Sequence, residues 1–180
     1  MTTRGSDLLA LMRGLRQSRR FLDRPVPRED LEQILEVARW TGSAKNSQPW
    51  HLVVVTDRAD QETLAGCGDF AGFLAGAPMS IVVGIEGPGR PGAYDDGRLQ
   101  ERIMLAAAAL GLGSGTAWFS TPESRGRVRD LLGMPSALEP WSAIALGYTD
   151  TARAQAAPQL SGRKPLEEIV SWGRYGGRAG

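Results

Sequence analysis

Eight consecutive residues, Ser43-Ala44-Lys45-Asn46-Ser47-Gln48-Pro49-Trp50, concentrate the side chains best suited to hold a polar ligand. Asn46 and Gln48 each bring amide donors and an acceptor, Ser43 a hydroxyl and Lys45 a cation. That set suits a flat ligand whose edge alternates acceptors and donors, and a flavin ring is one such ligand. The stretch ends on Pro49-Trp50 and runs into Leu52-Val53-Val54-Val55, which reads as a buried strand. A polar loop feeding a core strand is held rigidly, and rigid loops are where binding groups belong.

Two basic clusters lie far from this loop in sequence. Arg16, Arg19 and Arg20 flank Ser18. Guanidinium forks match phosphate oxygens bidentately, and the serine hydroxyl adds a donor. A solvated basic face after a helix explains the same cluster. Near the C-terminus Arg163 and Lys164 precede Pro165-Leu166, where a solvated tail is the alternative. Between them lies Gly111-Leu112-Gly113-Ser114-Gly115-Thr116. Glycines let a backbone approach a ligand closely. This run follows a helix and precedes a strand, the reverse of a dinucleotide fingerprint. A helix C-cap and tight turn account for Gly111 and Gly113.

Other chemistries lack their residues. The single histidine, His51, heads a strand, so neither a histidine metal site nor a Ser-His-Asp triad has support. The single cysteine, Cys67, allows no intrachain disulfide and reads as a small buried residue. No residue stands out as a general acid or base. An enzyme built on this chain therefore relies on a cofactor for its chemistry.

The 180 residues, 42% of them apolar, suffice for one domain spanning 1–180 with a sizeable core. A net charge of +1 argues against a nucleic-acid or anionic-membrane partner. No run is apolar enough to span a bilayer or serve as a secretory signal, so a cytoplasmic protein is the default expectation. Nineteen arginines stand against two lysines, and both lysines fall in the clusters above.

The elements that must position these groups follow from periodicity. Helices are predicted from Ser6 to about Arg16, from Arg28 to Trp40, from about Asp95 to Leu110 and from Pro122 to Leu132. Strands are predicted at 51–56, 79–85, 116–119 and 141–148. Residues 60–76 read as short helical pieces, Glu86–Gly92 as a loop, and 166–172 as a short amphipathic piece. Helices and strands mix without strict alternation, which favours α+β over a doubly wound sheet.

Taken together, these segments resemble the FMN-dependent nitroreductase family. The resemblance rests on Arg16–Phe21 with Pro25-Val26, and on Leu31–Trp40 followed by Ser43–Val55. Asp95-Asp96-Gly97 through Leu110-Gly111-Leu112-Gly113, Leu146-Gly147-Tyr148, and Arg163–Glu168 complete it in order. The resemblance implies a three-layer α+β sandwich, with helices around a mainly antiparallel mixed sheet. It further implies a homodimer with FMN at the interface and the C-terminal tail extended over the partner. NADH or NADPH would reduce the flavin, and a nitroaromatic, quinone or similar flat acceptor would reoxidise it in a ping-pong cycle.

Arg16, Arg19 or Arg20, with Arg163 and Lys164, would hold the phosphate. Anchoring the family pattern on Phe21 puts Gln17 in its serine slot and pairs Arg16 with Arg19; matching Arg-x-Ser-x-Arg selects Arg16, Ser18 and Arg20. Ser43, Asn46 and Gln48 would contact the ring or ribityl chain, and Lys45 the pyrimidine end. Backbone amides around Ala117 would meet the ring edge, and Trp118 would line the substrate slot. The chain is short for the family and compact between Gly66 and Asp95. That leaves a second reading, a divergent relative that destroys or sequesters reduced flavin or oxidises a peptide-like metabolite. A nucleic-acid or anion-binding module built on the arginines is a third.

Overall fold

The computed structural model describes residues 5–87, 90–152 and 162–178. Four strands form one sheet in the order β1-β2-β4-β3. They are β1 (Trp50–Val55), β2 (Met79–Glu86), β3 (Gly113–Trp118) and β4 (Leu138–Gly147). All three pairings are antiparallel. Among the described residues six α-helices accompany them: α1 (Gly5–Gly14), α2 (Arg28–Arg39), α3 (Arg58–Ala65), α4 (Arg90–Ala109), α5 (Pro122–Leu132) and the short α6 (Leu166–Ile169), with 3-10 turns at Ala44–Asn46 and Gly72–Gly76.

Strand alternation splits the core into two layers. Ile81, Val83, Ile85, Ile144 and Leu146 meet Ile34 and Ala38 of α2 and Leu99, Ile103 and Ala107 of α4 on one face. Val82, Ala143, Ala145 and Ala117 meet Leu64 of α3, Leu74 and Val128 of α5 on the other. A three-layer α+β sandwich results, as expected. Cys67 is buried in the second layer, and burial pushes its thiol pKa up.

Boundaries follow local chemistry. Thr121 and Ser124 form a reciprocal capping box at α5, behind Pro122 in the first turn. Gly133 closes that helix in the left-handed conformation. α4 starts five residues earlier than periodicity predicts, and α1 stops at Gly14, short of Arg16. Ser6 lies inside α1 rather than at its cap. β4 carries a register shift: Val83 pairs with Ser142 and Gly84 with Pro140, leaving Trp141 as the extra residue of a bulge. Of the polar tail after Asp150, residues 153–161 lie outside the described residues. No described helix is long and apolar enough to cross a membrane.

Ile103 is fully buried between α4 and the sheet. Ile103→Ala should lower unfolding free energy by about 2–5 kcal/mol in urea titrations, the usual cost of such a cavity. A change below about 1 kcal/mol would contradict the packing described.

Candidate functional site

The arginine segment is not the tail of a helix. Past Gly14 the chain runs extended along β3 and the end of β4. The Ser18 N–H donates to the Ser114 carbonyl at 2.6 Å and the Leu22 N–H to the Tyr148 carbonyl at 2.8 Å. The Asp150 N–H donates to the Arg20 carbonyl at 3.0 Å, and Phe21 bridges Thr149. Glycines make this path possible. A Cβ at Gly113 would collide with the Ser18 and Thr149 hydroxyls, and one at Gly115 with the Ser18 carbonyl oxygen. Gly113 therefore opens a strand beneath the crossing segment rather than closing a turn. Gly111, at φ 76°, is the C-terminal turn expected of it.

Side chains lock the same path. Ser18 Oγ lies 2.7 Å from Thr149 Oγ1. Gln17 Nε2 donates to Thr116 Oγ1 at 3.1 Å, and the Thr116 N–H donates back to Gln17 Oε1 at 3.3 Å. The Arg19 guanidinium lies 5.8 Å from the centre of the Phe73 ring. Among the described residues, the ion pairs involve other arginines and leave Arg16, Arg19 and Arg20 without a carboxylate.

The Ser43–Trp50 loop has a different kind of constraint. Lys45, Asn46 and Gln48 hold φ of 54°, 55° and 48°, the left-handed region that side chains other than glycine avoid. Three such residues within four positions store strain, and strain of this kind clusters at ligand clamps. Ser43 Oγ accepts the Gln48 N–H at 2.8 Å, and the Glu86 N–H donates to the Pro49 carbonyl at 2.7 Å. These bonds leave the side chains of Lys45, Asn46 and Gln48 exposed at the surface.

The two donor sets do not meet within one chain. The loop feeds β1, and the arginine segment lies on β3, the two opposite edges of the sheet. Three strand spacings, about 14 Å in all, separate those edges. Arg163 and Lys164 are exposed and reach neither set; the Arg163 guanidinium bonds only its neighbour's Gly162 carbonyl among the described partners.

An aromatic wall closes the C-terminal end of β3. Ala117 is buried, whereas Trp118 is 44% exposed. The bulge turns Trp141 toward it, with ring centroids 5.5 Å apart. The Arg125 guanidinium stacks 4.6 Å from the Trp141 ring centre. Glu139 holds Arg125 at 3.0 Å and Arg129 at 3.2 Å. Sequence reading missed Thr149, Phe73, Trp141 and Arg125, because bulges and long-range contacts leave no local signal. Among the described residues no group of three or more His, Cys, Asp and Glu is placed to hold a metal ion.

The α+β sandwich thus lays a basic segment on one sheet edge and a strained polar loop on the other. A model of the nitroreductase family matches residues 13–67, which span the arginine segment and the loop. A provisional NADH dehydrogenase/NAD(P)H nitroreductase of Archaeoglobus fulgidus is 35% identical over 141 residues, covering 74% of this chain and 80% of that one. An NADH dehydrogenase of Thermus thermophilus is 30% identical, covering 87% and 91%. An FMN-dependent nitroreductase of Clostridium difficile superposes with a TM-score of 0.81 at 23% identity, over 92% of this chain and 99% of that one. The chain belongs to the nitroreductase family.

Two substitutions separate scaffold from strain. Gly115→Ala should displace the arginine segment and lower the melting temperature, because its Cβ meets backbone rather than a movable side chain. Lys45→Gly should raise stability, since glycine relieves roughly 1 kcal/mol of left-handed strain. Thermal unfolding of both variants checks the pair; a stabilised Gly115→Ala or a destabilised Lys45→Gly contradicts the account.

Proposed function

We propose that this chain is a single flavin-binding domain acting as an FMN-dependent NAD(P)H oxidoreductase, whose cofactor lies between two copies of the chain. One observation carries it. In a member of the nitroreductase family, cations without an acid partner among the described residues occupy one sheet edge and a strained amide-rich loop the other. The residues fit the group. Glycines admit the arginine segment to β3, and the loop presents donors and acceptors for a ring edge. When bound, FMN supplies two-electron chemistry: hydride uptake from NADH or NADPH, then delivery to a flat acceptor such as a nitroaromatic or quinone in a ping-pong cycle.

The protein's part is to bind, orient and exclude water. Arg16 and Arg19 hold the phosphate with charge-assisted bonds. Arg16 and Arg19 are the pair selected by anchoring on Phe21, and Phe21 is itself fixed by its bridge to Thr149. We therefore assign Arg19 ahead of Arg20. Ser18 and Gln17 keep the segment in place. Trp118 presents its backbone amide at the ring edge and its indole forms one wall of the acceptor slot, whereas the Ala117 N–H faces its ladder partner Ala143 on β4 and supports the strand instead. From the partner copy come Ser43, Asn46 and Gln48 along the ring, and Lys45 beside its pyrimidine end. There a positive charge stabilises the negative charge that develops on reduction.

Exposed apolar surface supports the two-chain arrangement. Leu8, Leu9 and Met12 of α1 project outward, as do Leu166, Ile169 and Trp172 of the tail. Such surface marks an interface, and a tail over the partner brings Arg163 and Lys164 to the phosphate.

The purified protein should be yellow, and NADH or NADPH should bleach it under nitrogen, with colour restored by a quinone. Arg19→Ala should weaken FMN binding roughly 10- to 100-fold, since one charge-assisted bond contributes about 1.5–3 kcal/mol. A colourless protein that takes up no added FMN would refute the proposal.

A further inference from the structure

Asp96 is a fully buried acidic side chain that the proposed chemistry does not use. It lies on α4, and no ion pair among the described residues reaches it. Its carboxylate accepts bonds from Ser142 Oγ at 2.7 Å and from the Gln100 amide. Burial outweighs those bonds and pushes its pKa up to about 6. A buried, uncompensated carboxylate weakens a fold, and nature keeps such groups where they serve a site.

Its partner identifies that site. Ser142 is the register partner of Trp118 and follows Trp141 in the chain. Directly paired residues of antiparallel strands point to the same face, so Ser142 and Trp118 project side by side. Trp141 does not anchor the wall through its indole, because its Nε1 is buried without a hydrogen-bond partner. Arg125 stacks on Trp141, and its charge is taken up by Glu139. The bond from Ser142 to Asp96 is thus the polar tether between the wall and α4.

We propose that Asp96 is a positioning residue of the acceptor slot: through Ser142 it sets the placement of the Trp118 wall, in one way when ionised and in another when protonated. The slot's role rests on the flavin reading above; the tether does not. The ionised carboxylate accepts from Ser142 and Gln100 together. The protonated acid has a hydrogen of its own to place, so one of those bonds must be remade, and the rung bearing Trp118 shifts with it. Other charges on the elements packed against Asp96 lie at the surface or in ion pairs: Glu86 of β2, Asp7 and Arg13 of α1, Glu29 of α2, and Glu101 and Arg102 of α4 are exposed. Asp95 is engaged by Arg98 at 3.7 Å, and Glu139, the ionisable residue of β4, by Arg125 and Arg129. β3 contributes none, and on α2 Arg28 pairs with Glu32 and Arg39 with Glu36 at the surface.

The sign for stability is fixed. A carboxyl raised by burial favours the fold in its protonated form. That contribution is complete below the ordinary Asp value and is lost as pH rises through about 6. Asp96→Asn mimics the protonated acid at every pH and removes the buried charge, so it should fold and be the more stable protein at pH 7.

The test uses full-length protein labelled with 5-fluorotryptophan, without flavin or acceptor, with the Trp118 resonance assigned through Trp118→Phe. From pH 5 to 8 the wild-type Trp118 signal should titrate with a midpoint near 6. In Asp96→Asn it should stay at the wild-type low-pH position throughout, and in Ser142→Ala it should move to a third position and cease to titrate. A second arm measures acceptor KM in flavin-loaded enzyme. Asp96→Asn should remove its pH dependence and leave the FMN dissociation constant within about twofold, as expected for a group that touches no cofactor. An unmoved Trp118 signal in the wild type, or an unchanged titration in Asp96→Asn, overturns the proposal. Because the first arm needs no cofactor, failure of the flavin reading affects only the second.

Discussion

The close approach of an extended backbone to β3 is the constraint on which the rest depends. Residues 16–22 occupy the sheet edge only because Gly113 and Gly115 present no Cβ to the Ser18 backbone and hydroxyl. That approach converts a run of arginines from a solvated helix end into a fixed row of cations beside a strand. It also covers an otherwise open edge, which antiparallel sheets must protect. The hydrogen bonds from Ser18, Gln17 and Leu22 then fix the register of the segment. Even the position of these arginines is set by what two glycines lack.

The second constraint is topological. With β1 and β3 at opposite edges, one chain carries the basic segment and the strained loop on different edges of its sheet. Under the proposed function a twofold-symmetric pair would bring them together without any change of fold, each copy offering what the other lacks. The strain in the loop belongs to the same logic. Left-handed Lys45, Asn46 and Gln48 cost stability in the free chain, and that cost is justified where ligand contacts over-determine the conformation.

Much of this was legible in the sequence, and the exceptions have physical causes. Apolar patterning located α2, β1 and β2, since each buries a face against its own layer of core, and the Thr121-Pro122-Glu123 start signal located α5. The Ser43–Trp50 loop stood out because its residue types are unusual in combination. The start of α4 was misplaced because Pro91 reads as a breaker, although a helix tolerates proline in its first turn. β3 was shortened because Gly113-Ser114-Gly115 looks like a turn. The glycines answer a contact with residues about one hundred positions away, and no local pattern records that. The Trp141 bulge and the Asp96–Ser142 bond were invisible for the same reason: each is defined by a partner on another element.

The sharing of one site between two copies is tested most directly by subunit complementation. One variant carries Arg16→Glu and Arg19→Glu, the other Asn46→Ala and Gln48→Ala, and neither alone should hold FMN. Unfolded together and refolded, they should recover roughly a quarter of the wild-type flavin load. Half of the random pairs are then mixed, and each mixed pair has one intact site of two. A mixture as colourless as its components would show that each chain builds its flavin site alone, and the account would fail.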